Sequence, residues 1–203
     1  TTGDWSSDVC SSDLQAGKVD AAEKNFRALL EFDERTDEAS YYLGQIEESR
    51  QRPAAALVHY RAVKAGSNAF PARLRVISIL ANDGKIDEAL AAIAAVSPQG
   101  EEQRIQLTLL HAEILAQQKR YDEAMGVFDR ALNGTYEMTL LYNRAMLAEQ
   151  MGRLDLLEAD LRTIIEREPE NSQALNALGY TLADRTTRYE EAYELIRRAL
   201  AVS

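Results

Sequence analysis

A small apolar residue recurs along this chain at successive intervals of 34, 33, 35, 33 and 35 residues. A large apolar residue follows each one four positions later, and a short polar turn such as Gly84-Lys85 or Gly152-Arg153 precedes it. The recurring small positions are Ala22, Ala56, Ala89, Ala124, Leu157 and Ala192. Self-similarity at this period is typical of a stacked supersecondary unit in which each copy packs mainly on its neighbours. We therefore expect a repeat array, not a single globular core.

Each repeat is predicted to contain two helices. In residues 37–71, the apolar residues Tyr42, Leu43 and Ile46 follow helical spacing, and Pro53 lies where a second helix can begin without losing a hydrogen bond. Similar antiparallel hairpins are predicted at about 70–96, 102–132, 136–165 and 172–201, after a half repeat at 15–31. No stretch alternates with the period of a strand. The predicted fold class is all-α, an α-solenoid of antiparallel helical hairpins.

Two short motifs support a family resemblance. A Leu-Gly pair occurs in first helices as Leu178-Gly179, and the pattern Ala-x-x-x-Phe occurs in second helices as Ala124 and Phe128. Residues 15–203 resemble the tetratricopeptide repeat (TPR) family. The resemblance implies one right-handed superhelix of a half repeat plus five complete repeats. A related helical-repeat family with the same hairpin design is the alternative.

The first fourteen residues do not follow the repeat pattern. Residues 4–14 read DWSSDVCSSDL and resemble the translation of a sequencing-library adapter; a flexible tail is the alternative. We treat 1–14 as a non-native or disordered leader, and we expect the array to be truncated at both ends. Cys10 is the single cysteine, so the array itself predicts no disulfide, thiol catalysis or cysteine metal site.

Composition and motifs exclude several function classes. The net charge of −10 and the absence of a basic stripe disfavour nucleic-acid binding. No apolar run of about 18 residues predicts a membrane span. The sequence contains no nucleophile elbow, phosphate loop, H-E-x-x-H motif or dinucleotide fingerprint, and His59 and His111 belong to different repeats. We predict no catalytic residue, no metal site and no cofactor, and hence that the chain is not an enzyme.

The TPR resemblance implies a peptide-binding groove on the concave surface lined by the first helices. Counting three before, one after and four after the small residue of each first helix gives the predicted groove residues: Tyr41, Gln45, Glu48, Leu74, Ser78, Leu109, Glu113, Tyr142, Met146, Glu149, Asn176 and Tyr180. Alanines 81, 116 and 183 complete the pattern. This lining is apolar and acidic without Lys or Arg, and it favours apolar anchors with a basic flank. Packing between repeats is the alternative role.

These features predict a non-catalytic scaffold or adaptor whose partner is a protein or peptide. The stretch 176–200 resembles a segment of long proteobacterial repeat proteins, some of which are outer-membrane lipoproteins that act as adaptors for a periplasmic protease. That resemblance implies a bacterial envelope location, periplasmic or outer-membrane-associated, and a protease partner. One alternative is the accessory, substrate-recruiting region of an enzyme such as a glycosyltransferase, with its catalytic domain outside these residues. Another is a structural scaffold that self-associates.

Overall fold

The structure is a computed structural model that describes residues 18–31 and 35–202. The regular structure of those residues is entirely helical, and the predicted leader 1–14 lies outside them. The helices are α1 Val19–Glu31, α2 Thr36–Ser49, α3 Pro53–Ala62, α4 Ala69–Asn82, α5 Ile86–Ala94, α6 Gly100–Gln117, α7 Tyr121–Leu132, α8 Met138–Gln150, α9 Leu154–Arg167, α10 Ser172–Arg185 and α11 Tyr189–Ala201. Among them, none is long and apolar enough to cross a membrane.

The chain divides into two compact units, Thr1–Gln99 with α1–α5 and Gly100–Ser203 with α6–α11. In unit 1, α2 pairs with α3 and α4 with α5, and α1 packs on α2. In unit 2, α6 pairs with α7, α8 with α9 and α10 with α11. The prediction of antiparallel hairpins is therefore confirmed. That residues 15–203 form one continuous array stays a prediction.

The repeat register reflects how closely the two helices of a hairpin approach. All six recurring small residues are at most 1% exposed. A Cβ atom added to Gly44 would lie 2.6 Å from a ring carbon of Tyr60, and one added to Gly179 would lie 2.7 Å from Cγ1 of Ile196. The small residue of one helix thus leaves room for the large residue of the other, as the sequence pattern predicts.

The turn inside four of the hairpins has one left-handed residue, always five positions before the recurring small residue. These residues are Gln51 (φ 58°), Gly84 (φ 77°), Lys119 (φ 59°) and Gly152 (φ 70°). In the turn at Lys119, the amide of Arg120 donates to the carbonyl of Leu115 at 2.9 Å, which closes a Schellman-type cap. Two of these positions thus carry a side chain where the backbone favours glycine.

An ion triad with one buried carboxylate joins three helices of unit 2. Arg144 in α8 stands at the leucine position of the family motif, and its guanidinium donates to both oxygens of Asp160 in α9 at 2.9 and 2.6 Å. It also donates to Asp129 in α7 at 2.7 Å. The hydrogen bonds that Arg144 donates to Asp160 raise the pKa of Arg144 above its ordinary value. The Asp160 side chain is only 4% exposed, so this pairing compensates the burial of its charge.

Candidate protein-binding surface

In unit 1, the predicted groove residues lie on the first helices α2 and α4. Tyr41, Gln45 and Glu48 lie on α2, Leu74 and Ser78 lie on α4, and all five are half-buried. The spacings of three and four residues place each set on one face of its helix. The structure thus presents both sets at partly exposed positions.

Glu48 is tied to two neighbouring helices. Its carboxylate accepts a hydrogen bond from the Tyr60 hydroxyl in α3 at 2.5 Å and a two-pronged contact from Arg75 in α4, with Nε at 2.9 Å. Burial raises the pKa of the Glu48 carboxyl, but the bonds from Arg75 and Tyr60 outweigh it, so the pKa lies below its ordinary value. Burial and the same contact raise the pKa of Tyr60. Glu48 therefore holds two hairpins together and carries a neutralised charge.

Aromatic rings form part of the unit 1 surface. The ring of Tyr41 lies 5.6 Å from that of Tyr42, edge to face, and 5.8 Å from that of Tyr60. On α4, the Ser78 hydroxyl donates to the carbonyl of Leu74 at 3.0 Å. Because its ring contacts those of Tyr42 and Tyr60, Tyr41 contributes to packing within the unit as well as to its surface. These contacts favour a rigid ring on which a partner can stack.

In unit 2, the structure brings three predicted residues together in one cleft. Leu109 and Glu113 of α6 face Met146 of α8 across a volume of about 390 Å³. Other lining residues, mostly apolar, are Ala112, Ala116, Phe128, Asn143, Leu147 and Gln150. An apolar floor with a few polar groups is typical of a binding site for a side chain or small group.

The rim of this cleft is polar and locally acidic. Glu113 is exposed and accepts a hydrogen bond from Gln117 at 3.1 Å. The Asn143 amide, on the opposite helix, donates to the carbonyl of Thr139 at 2.8 Å. No Lys or Arg lines the cleft. It can therefore accept an apolar side chain next to a cationic or hydrogen-bonding group.

The remaining predicted residues of unit 2 lie on α8 and α10 but outside the lining of that cleft. Tyr142 and Glu149 are half-buried, whereas Asn176 is exposed and Tyr180 is 62% exposed. An exposed tyrosine offers a partner a large apolar surface with a hydroxyl at its tip. Tyr180 is thus available for contact, while the structure does not join it to the cleft.

Sequence counting missed three polar residues of these surfaces, in addition to apolar residues of the cleft floor. Arg75 and Asn143 come two positions before the small residue of their helices, and Gln150 comes five positions after. All three positions fall outside the count of three before, one after and four after. A full helical projection of each first helix would have included them, because these positions border the same face.

The described residues contain no cluster of three or more histidine, cysteine or carboxylate side chains that could hold a metal ion. His59 and His111 lie in different units, and both are half-buried. Burial, reinforced by nearby arginines, lowers the pKa of each imidazole below its ordinary value. Both histidines are therefore neutral at pH 7 and pack as half-buried rings.

Comparisons with known proteins identify relatives of the chain. The sequence profile of the tetratricopeptide repeat family matches residues 11–70, 77–137 and 142–202. The chain is 43% identical over 164 residues to the TPR repeat-containing protein PA4667 of Pseudomonas aeruginosa strain PAO1. That match covers 80% of this chain but spans only 28% of the relative.

Two solved structures show the same fold at low sequence identity. A crystal structure of MamA protein aligns with a TM-score of 0.57 and 16% identity, covering 82% of this chain and 91% of that one. YrrB, described as a TPR protein with an unusual peptide-binding site, aligns with a TM-score of 0.54 and 18% identity, covering 87% and 91%. These likenesses concern the arrangement of helices.

Proposed function

This chain belongs to the tetratricopeptide repeat family, and we propose that it is a non-catalytic scaffold that binds a protein or peptide on the surface of its first helices. The observation that carries the proposal is the cleft between α6 and α8, which joins Leu109, Glu113 and Met146 over a mainly apolar floor. An apolar anchor in such a cleft supplies most of the binding energy of a peptide interface, and a polar rim supplies orientation.

We propose further that the ligand is an extended or helical peptide with an apolar anchor next to a basic residue. The anchor would enter the cleft, and the basic residue would lie near Glu113, which is exposed. The acidic net charge of −10 supports this choice, because it attracts cationic segments during encounter. The remaining groove residues of unit 2, above all the exposed Tyr180, would extend the contact.

The test begins with a displayed library of random peptides selected on the immobilised chain. The dissociation constant of each selected peptide is then measured by fluorescence anisotropy against the wild type, Met146→Glu and Val58→Glu. Met146→Glu places a charge on the cleft floor and should weaken binding about tenfold or more. Val58, on the second helix α3 of unit 1, is 69% exposed and is the matched control. Equal binding to all three proteins, or the selection of no peptide, would refute the proposal.

We propose further that this scaffold acts in the bacterial envelope. The resemblance of residues 176–200 to outer-membrane adaptors supports a periplasmic or outer-membrane-associated adaptor with a protease partner. The match to a Pseudomonas protein supports a bacterial source. Because the chain spans 28% of that relative, the activity of the whole protein is also a proposal. Fractionation of cells that express the complete gene, followed by cross-linking, tests it. A purely cytoplasmic protein would contradict it.

Self-association is a second candidate, favoured by exposed apolar residues on α11. Tyr193 is 65% exposed and Leu200 is 74% exposed, whereas Met125 and Leu132, their equivalents on α7, are buried. A second copy could cover this face. Sedimentation velocity distinguishes the candidates, because self-association requires a concentration-dependent dimer that Leu200→Glu abolishes. The accessory-region alternative, with catalysis elsewhere in a longer protein, is tested by the complete gene sequence.

A further inference from the structure

A second cavity lies in unit 1, among α3, α4 and α5, with a volume of about 340 Å³. Its floor is apolar and includes Val63, Val76 and Val96. On α4 the cavity is lined by Arg73 and Val76, whereas the predicted groove is formed by Leu74 and Ser78. At 3.6 residues per turn, these two pairs lie on different sides of the helix. The cavity is therefore separate from the predicted groove.

Three cationic side chains surround this apolar floor. Arg61 and Lys64 come from the end of α3 and the residues after it, and Arg73 comes from α4. All three are exposed, and within the described residues none forms a salt bridge with a carboxylate. The Lys64 ammonium donates only to the backbone carbonyl of Arg61, at 2.6 Å. The Asp37 carboxylate accepts a hydrogen bond from the backbone amide of Lys64 at 2.6 Å, but Asp37 does not line the cavity. On a chain with a net charge of −10, the cavity lining thus contains three cations and no carboxylate.

In the equivalent cavity of unit 2, the cationic side chain Arg144 is paired with carboxylates of the chain itself. That cavity, among α7, α8 and α9, is lined by Asp129 and Arg144, which belong to the ion triad with Asp160. Counted from the small residue of each helix, the equivalents in unit 1 of these three residues are Arg61, Val76 and Ala92 respectively.

In unit 1 the repeat thus replaces the central arginine and its buried carboxylate by apolar residues and replaces the outer carboxylate by Arg61. Two further cations of unit 1, Lys64 and Arg73, are the repeat equivalents of Leu132 and Leu141 in unit 2. The central arginine in the cavity of unit 2 is neutralised by carboxylates of that unit, whereas the cavity of unit 1 has an apolar floor next to three cations. The missing element is negative charge adjacent to an apolar group.

We propose that this cavity binds an acidic peptide segment of a partner, in which one apolar side chain enters the cavity and flanking carboxylates pair with Arg61, Lys64 and Arg73. The cavity volume of about 340 Å³ accommodates an apolar side chain, and a fatty acid would supply only one carboxylate for three cations. Both points favour a peptide with several carboxylates over a fatty acid. Guanidinium groups are well suited to such pairing, because they bind carboxylates in a two-pronged geometry.

The test uses the full chain and a fluorescein-labelled synthetic peptide with a central phenylalanine flanked on each side by aspartate and glutamate. Two comparison peptides carry glycine in place of phenylalanine, or asparagine and glutamine in place of the acids. Binding is measured by anisotropy at about 50 mM salt, where exposed charges are weakly screened, and at about 300 mM. We expect the acidic phenylalanine peptide to bind, and to bind more weakly at the higher salt concentration. The comparison peptides should bind at least about tenfold more weakly.

Two variants locate the site. The double variant R61Q/R73Q removes charge from exposed positions and should weaken binding about tenfold or more. Ala92→Leu fills the cavity floor and should weaken binding of the phenylalanine peptide while leaving the glycine peptide unchanged. Lys24→Gln, an exposed cation on α1 of the same unit, is the matched control and should bind as the wild type does. Thermal unfolding of every variant checks that each remains folded.

Several outcomes would overturn the proposal. They are no binding to the wild type, equal binding of the glycine peptide, and equal binding by the folded double variant. Displacement of the peptide by decanoate at comparable concentration would assign the site to small amphiphiles. A dimer of the wild type that R61Q/R73Q abolishes would assign it to a second copy of the chain.

Discussion

Replacing Gly179 by alanine tests the physical reason for the repeat register. The added Cβ would lie 2.7 Å from Cγ1 of Ile196, 3.1 Å from the carbonyl oxygen of Ala192 and 3.2 Å from Cβ of Leu195. Two of these atoms belong to the backbone or its first side-chain carbon, so α11 must move as a unit to make room. Because a contact of 2.7 Å forces neighbouring atoms to shift, the overpacking cost lies in the upper part of the range for such substitutions, at about 2–3 kcal/mol. Alanine returns about 1 kcal/mol through its higher helix propensity. The expected net loss of stability is about 1–2 kcal/mol.

The matched control is Gly126→Ala, in the interior of α7 in the same unit. A Cβ there would meet only Nη1 of Arg130, at 3.3 Å, and that flexible group can move aside. The control should therefore gain about 1 kcal/mol from helix propensity alone. Equilibrium urea unfolding followed by far-ultraviolet circular dichroism measures both variants. Shifts of opposite sign are expected. A Gly179→Ala variant as stable as the wild type would refute the close-approach explanation.

Three further predictions concern charge and turns. Arg144→Leu leaves the buried Asp160 carboxylate without its main partner and should cost about 3 kcal/mol in urea unfolding, whereas the double variant R144L/D160L should recover most of it; no recovery would contradict the pairing. Lys119→Gly should stabilise by about 0.5–1 kcal/mol, because a left-handed conformation costs a non-glycine residue more than glycine loses in chain entropy; a lower thermal midpoint would refute this. The pKa of Glu48 in the folded protein lies below its ordinary value of 4.5, so the contacts of its carboxylate stabilise the folded state above that pH, and this stabilisation is lost as the pH falls further. The thermal midpoint should therefore fall more steeply with decreasing pH for the wild type than for Glu48→Gln. Parallel pH curves would contradict that contribution.

The fold was predictable because the signal is repeated. Any one pattern, such as Ala124 followed by Phe128, is weak, but several copies in register fix which face of each second helix is buried. The Leu-Gly motif that includes Gly179 falls where the structure shows the two helices of a hairpin in close contact. The left-handed turn residue Lys119 was not predicted, because lysine carries no local signal for that conformation and the neighbouring helices impose it.

The candidate site was less predictable. Counting along the first helices found Leu109, Glu113 and Met146, which the structure joins in one cleft. It could not show that Arg75 neutralises Glu48, since their contact joins side chains 27 residues apart in different repeats. Such contacts depend on how neighbouring hairpins pack, and a one-dimensional pattern contains no information about that distance.

The cationic cavity of unit 1 was also beyond the sequence pattern. Arg61, Lys64 and Arg73 are ordinary exposed residues when each is considered alone. Their significance appears only because the structure places them around one apolar floor, whereas the equivalent cavity of unit 2 contains Arg144, which pairs with Asp129 and Asp160. Comparison between repeats, made in three dimensions, is what reveals the difference.

The central claim is that a ligand binds along the first helices. Backbone hydrogen exchange of the chain, measured by mass spectrometry with and without a peptide selected from the random library, tests it most directly. We expect the peptide to slow exchange in α6 and α8, with smaller effects in α10 and little change in α7, α9 and α11. Protection confined to the second helices α7, α9 and α11 would contradict it.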